Sequence, residues 1–137
     1  MNHIQQFSAP LGRSLLALVF LLSGINKIFS YEGTQGYMEA MGVPGILLPF
    51  VIALEVVGAA AIIVGYRTRW VAFALAGFTV LSALLFHADF SDQMQMIMFM
   101  KNLAISGGFL LMIAQGPGAY ALDNLSQNKG DSVLQGA

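Results

Sequence analysis

The chain has 137 residues, of which 57% are apolar and only 9% charged, and its mean hydropathy is +0.73. An ordinary soluble domain carries roughly 25% charged residues, and one this small exposes most of its side chains. Six Lys and Arg with seven Asp and Glu cannot cover a water-facing surface, so the apolar surplus must face lipid. The net charge of −1 and the lack of any basic run exclude nucleic-acid binding and a polybasic grip on anionic lipid. The absence of cysteine excludes disulfide exchange, thiolate nucleophiles, iron–sulfur ligation and Cys-based zinc sites within this chain.

Crossing a hydrocarbon core of roughly 30 Å takes about 20 mostly apolar residues. Four stretches qualify, at 10–29, 46–66, 70–90 and 93–114. The first is a retained helix rather than a signal peptide: its leading region is nearly uncharged before Arg13, no clean small-x-small site follows, and three more spans are present. Gly33, Gly36, Gly42, Pro44 and Gly45 punctuate the first connection, Arg67-Thr68-Arg69 the second, and Gly116-Pro117-Gly118 the end of the fourth span. The expected fold is all-α, an integral membrane four-helix bundle over residues 1–122. The tail 123–137, rich in Ser, Gln, Asn and Gly, reads as disordered.

Lys and Arg in short loops are retained on the cytoplasmic side. Residues 30–45 contain Glu32 and Glu39 but no Lys or Arg, and the turn near Asp89 and Asp92 has none either. The second connection has Arg67 and Arg69, and the tail has Lys129. Both termini are therefore expected in the cytoplasm, with the first and third loops outside. Tyr31, Tyr37, Tyr66 and Trp70 fall where interfacial aromatic belts form.

Ionisable residues inside spans cost about 2.5–3.5 kcal/mol each on insertion scales, and those that persist face the bundle interior and pair. Here they are Arg13, Lys27, Glu55, His87 and Lys101. At 1.5 Å per residue, Glu55 and Lys101 each lie on the order of 12–14 Å below the outer face, so depth makes them the expected ion pair. Lys27, with Asn26 beside it, and His87 fall near the outer mouth, and Arg13 near the inner end. Arg13, Phe20 and Lys27 are spaced by sevens and share one helix face. Val51, Glu55, Gly58, Ala59 and Ile62 form a stripe on the second span, and Met94, Met98, Lys101, Ile105, Gly108 and Met112 one on the fourth. A polar column running inward from the outside is the expected result. Ala61/Gly65, Ala72/Ala76 and Ala104/Gly108 have the spacing that lets helices approach closely.

Each residue also has a plain structural reading. The Glu55–Lys101 pair could merely fix helix register, Arg13 and Lys27 could snorkel to the nearer interface, and His87 reads more simply as a hydrogen-bonded mouth residue than as a metal ligand. Met94, Met96, Met98 and Met100 alternate, and alternate residues of a helix point about 200° apart. They cannot converge on a soft metal and read as packing. No metal site is expected. Bis-His haem is disfavoured, because the only other histidine is His3. There is no phosphate-cradling glycine loop, and a Ser/His/Asp catalyst from Ser82 or Ser106, His87 and Asp89 lacks any nucleophile-elbow context.

Several runs, taken in order, carry a resemblance: Gly12-Arg13-Ser14-Leu15-Leu16, Phe20 through Phe29 with Asn26-Lys27, Gly42-Val43-Pro44, Glu55 with Gly58, Gly65-Tyr66-Arg67-Thr68-Arg69, Leu85-Phe86-His87, Met100-Lys101-Asn102-Leu103-Ala104, and Gly116-Pro117-Gly118 with Asp123. In order and spacing they resemble the DoxX family of small bacterial inner-membrane proteins, over roughly 12–123. The resemblance implies a four-helix protein of the inner membrane. Some members resemble the small subunit of a thiosulfate:quinone oxidoreductase, and others are tied to membrane complexes that handle oxidative stress, with partner proteins supplying thiol chemistry. Lacking cysteine, this chain fits a subunit that anchors or couples.

The expected function is therefore a subunit of a membrane-associated redox system, with soluble or membrane redox proteins as partners. A quinone-like ligand would sit in a cleft lined by Arg13, Asn26, Lys27, Glu55, His87, Lys101 and Asn102, where Lys and His could donate hydrogen bonds and a carboxylate beside them could relay protons. The alternatives are a scaffold or assembly factor without ligand, and a small transporter. Four spans without an inverted repeat could transport only as a homo-oligomer.

Overall fold

The computed structural model describes residues 3–118 and 120–124. Helices run α1 (His3–Phe29), α2 (Tyr31–Ala40), α3 (Leu48–Val64), α4 (Thr68–Phe86) and α5 (Gln93–Gln115), with a 3-10 turn, Gly45–Leu47, ahead of α3. The segments Gln6–Phe29, Gly45–Val64, Thr68–Phe86 and Gln93–Gln115 are long and apolar enough to cross a membrane. These match the four expected spans, with shifted ends.

Each shift has a local cause. Pro10 lies inside α1 rather than at its start, and gives up one i→i−4 bond in an otherwise continuous helix. The third span stops at Phe86 rather than reaching residue 90. Asp89 turns the chain by accepting the Ser91 N–H at 3.2 Å, and Asp92 then caps α5 by accepting the Met94 N–H at 3.0 Å. The 30–45 stretch, read from sequence as a loop, contains α2. Its glycines and mixed polarity hide it, but the backbone ladder continues through Ser30, whose N–H bonds to Asn26 and whose carbonyl accepts from Thr34. Met38 is buried beneath α2, and Tyr37 stacks on Phe86 with ring centroids 5.5 Å apart.

Packing pairs α1 with α3 and α4 with α5, and α3 joins the pairs through α4. Ala17, Phe20, Ala59, Ile62, Ala72, Leu75 and Phe109 meet at the centre, while Leu22, Phe50, Phe73, Leu110 and Leu111 stay exposed. Alanines between the helices at Ala17, Ala59 and Ala72, with large apolar side chains also facing outward, are the pattern of a bundle solvated by lipid. The α1–α3 crossing is tight at Gly24. A Cβ on Gly24 would fall 2.7 Å from Val56 Cγ2, so only glycine lets the helices meet there.

Candidate ligand-binding site

One turn beyond Gly24, that close crossing brings Lys27 of α1 against Glu55 of α3. Lys27 Nζ lies 2.7 Å from Glu55 Oε1 and also donates to Ser23 Oγ at 2.6 Å. Glu55 is 1% exposed, and its Oε2 has no hydrogen-bond partner among the described residues. The ion pair expected from depth, Glu55 with Lys101, does not form. Depth along a helix does not fix direction around it, and Lys101 stands on an exposed side of α5.

The Lys27–Glu55 pair forms part of the wall of a cavity of about 400 Å³. All four long helices contribute: Phe20 and Ser23 from α1, Val51 from α3, Thr79 and Ser82 from α4, Met98 and Ile105 from α5. Thr34, Tyr37 and Met38 of α2 line it as well. His87, Lys101 and Asn102 line the same cavity. His87 Nδ1 donates to Gln95 Oε1 at 3.0 Å in the matching tautomer, and Asn102 Nδ2 reaches the Thr79 carbonyl at 3.3 Å, tying α5 to α4. Val19, Leu81 and Leu85 line the cavity and are also exposed on the outside of the bundle, so it meets the lipid phase.

Five of the seven residues expected at the cleft therefore converge: Lys27, Glu55, His87, Lys101 and Asn102. Asn26 does not. It is exposed and turned away, since one residue along a helix rotates a side chain by about 100°. Arg13 does not either, although the shared phase with Lys27 holds. Arg13 and Phe20 are both buried, but Phe20 packs on Phe109 with centroids 5.4 Å apart and interrupts the polar column.

Arg13 instead clamps the far end of the bundle. Its guanidinium donates to the carbonyls of Pro117, of Tyr120 at 2.7 Å and of Ile63 at 3.2 Å. It is 4% exposed, so it does not snorkel. The carbonyls lie near the α3–α4 turn, where Gly65 takes φ 74° and would meet Ala121 Cβ at 2.4 Å if it carried a Cβ.

Asp123, assigned from sequence to the disordered tail, belongs to the same cluster; residues 125–137 of that tail lie outside the described residues. Its carboxylate accepts the N–H of Arg67 at 2.6 Å and of Thr68 at 2.9 Å, capping α4. Burial pushes the Asp123 pKa up, but the hydrogen bonds from Thr68 and Arg67 and the charge of Arg13 outweigh it, and the net shift is downward. A carboxyl with a depressed folded pKa stabilises the fold above its unfolded pKa, and that contribution is lost as pH falls through the folded value. Thermal unfolding in detergent is expected to show wild type more stable than Asp123→Asn near neutrality, with the gap closing below about pH 4. A gap that stays constant to pH 3 would show that the ionised carboxylate is not what caps α4.

Residues 9–88, from α1 to the end of α4, match the DoxX family model. The chain belongs to the DoxX family. It is 50% identical over 129 residues to the Escherichia coli (strain K12) inner membrane protein YqjF, covering 94% of this chain and 99% of that one. It is 35% identical over 120 residues to the inner membrane protein YphA of the same organism, covering 82% and 86% respectively. No solved structure matches. With its four apolar spans, this DoxX-family member is a multi-pass inner-membrane protein. The family match takes in Lys27, Glu55 and His87, while Lys101 and Asn102 lie beyond it on α5.

Sequence reasoning missed Ser23, Tyr37, Thr79 and Ser82. Ser23 had a usable signal, since it stands four residues before Lys27 and so on the same helix face. Tyr37 had none without α2.

Proposed function

We propose that this chain is the ligand-binding subunit of a membrane-associated redox system and that its cavity takes a quinone-like ligand. The observation that carries the reading is the Lys27–Glu55 pair on the wall of a largely apolar cavity that meets the lipid. A quinone head is a planar ring with two carbonyl acceptors, and interconversion with its quinol moves two electrons and two protons. Lys27 Nζ, Asn102 and Ser82 offer donors for the carbonyls. Glu55, ion-paired with Lys27 and with one oxygen unpartnered, is placed to accept or return a proton. Electrons come from a partner redox protein, because this chain has no cysteine to carry them. Arg67 and Arg69 cluster at the Arg13 end, whereas Glu32, Glu39, Asp89 and Asp92 lie at the cavity end. That asymmetry supports placing the cavity toward the outer face, with both termini cytoplasmic.

Mass spectrometry of an organic extract from protein purified in mild detergent tests this. About one quinone per chain is expected in wild type, and a several-fold lower content in a folded Glu55→Gln variant. Unchanged quinone in Glu55→Gln would remove Glu55 from the site. No quinone in wild type would leave a scaffold whose polar groups serve the bundle alone.

A further inference from the structure

The charges around the cavity do not balance. Lys27 and Glu55 cancel, and Lys101 has no ion pair or hydrogen bond among the described residues. Lys101 stands eight residues into α5, on the order of 12 Å from its start, deeper than a lysyl side chain extends. A cation held at that depth without a counter-charge carries the full insertion cost of about 2.5–3.5 kcal/mol. Leu81 and Leu85 line the same cavity and are exposed on the outside of the bundle.

We infer that Lys101 is the headgroup site for a single-chain amphiphilic monoanion, a long-chain carboxylate, whose tail leaves the cavity past Leu81 and Leu85. One negative charge neutralises the one uncompensated cation, and the Asn102 amide and Ser82 hydroxyl on the same walls can hydrogen-bond a carboxylate. A single chain suits the cavity of about 400 Å³, which takes a head and the first methylenes while the rest of the tail stays in lipid. The inference rests on the same cavity as the quinone reading, but on a different residue. Quinone binding should follow Glu55 and carboxylate binding Lys101, so either can fail without the other.

The test is electron paramagnetic resonance of spin-labelled stearate with full-length protein in phosphatidylcholine nanodiscs. We expect a motionally restricted population near one per chain, roughly tenfold weaker binding in Lys101→Gln, and binding kept in Lys101→Arg. The spin-labelled methyl ester should bind like the Lys101→Gln case. Since Lys101 has no ion pair or hydrogen bond among the described residues, Lys101→Gln should unfold at no lower temperature than wild type, which separates lost binding from lost fold. Equal binding of stearate and its methyl ester, unchanged binding in Lys101→Gln, or no restricted stearate would each overturn the assignment. Displacement of the probe by phosphatidylglycerol at equal mole fraction would overturn its single-chain part.

Discussion

Arg13→Leu is expected to destabilise the bundle by about 3 kcal/mol or more, read as a large fall in unfolding temperature in detergent. The guanidinium supplies three carbonyls, those of Ile63, Pro117 and Tyr120, from two nitrogens. Losing it takes a charged donor from three part-buried bonds at once, and a hydrogen bond to a charged group contributes about 1.5–3 kcal/mol. Arg13→Lys should recover less than half of the loss, because an ammonium is a point charge and cannot span carbonyls that a planar fork reaches together. Ligand content per folded chain should not change, since Arg13 lies roughly 21 Å along α1 from Lys27. Full rescue by lysine, or ligand lost from a folded Arg13 variant, would mean that the clamp is misassigned.

Lys27→Leu is expected to cost about 3–5 kcal/mol, the range for removing one partner from a buried pair. Glu55, 1% exposed, would be left with no counter-charge. Glu55→Leu should cost less, because the Lys27 side chain is 24% exposed and close to the end of α1, where it can turn toward the interface. Lys27→Leu with Glu55→Leu should restore most of the stability of the worse single variant, since a matched apolar pair carries no desolvation cost. Chemical or thermal unfolding of the four proteins closes this cycle. If the double variant regains stability but no longer retains quinone, the pair is kept for its ligand rather than for the bundle. Additive losses would show that Lys27 and Glu55 do not interact.

Much of the candidate site was legible because charged residues are rare in this chain. In a sequence that is 9% charged, each ionisable residue inside a span stands out, and four of the five, Lys27, Glu55, His87 and Lys101, converge on one cavity together with Asn102. Helix phase was legible too: the stripe from Glu55 through Gly58 and Ala59 to Ile62 is buried as its spacing requires. The fourth-span stripe was set slightly off, because the inward face of α5 runs through Ser106, Phe109 and Met112, while Met94 and Lys101 are exposed. An apolar helix with no polar face offers little contrast from which to read its rotation.

Composition and hydropathy were sufficient for membrane residence, four spans and an all-α fold, because lipid admits only helices and closed barrels, and continuous apolar runs of about 20 residues are the mark of the helix. The order of short runs was enough to point to the DoxX family. Partner choice was not available from the chain read as a line. Depth favoured Lys101 for Glu55, yet the pair is Lys27, since Gly24 lets α1 and α3 touch and so sets the direction as well as the height of their side chains. Packing likewise separates Arg13 from the cavity by Phe20 on Phe109, and draws Asp123 from an apparent tail onto the start of α4. Periodicity along one helix carries no information about which neighbour faces it. That is decided by how closely side-chain volumes allow two helices to approach, a property of the assembled bundle.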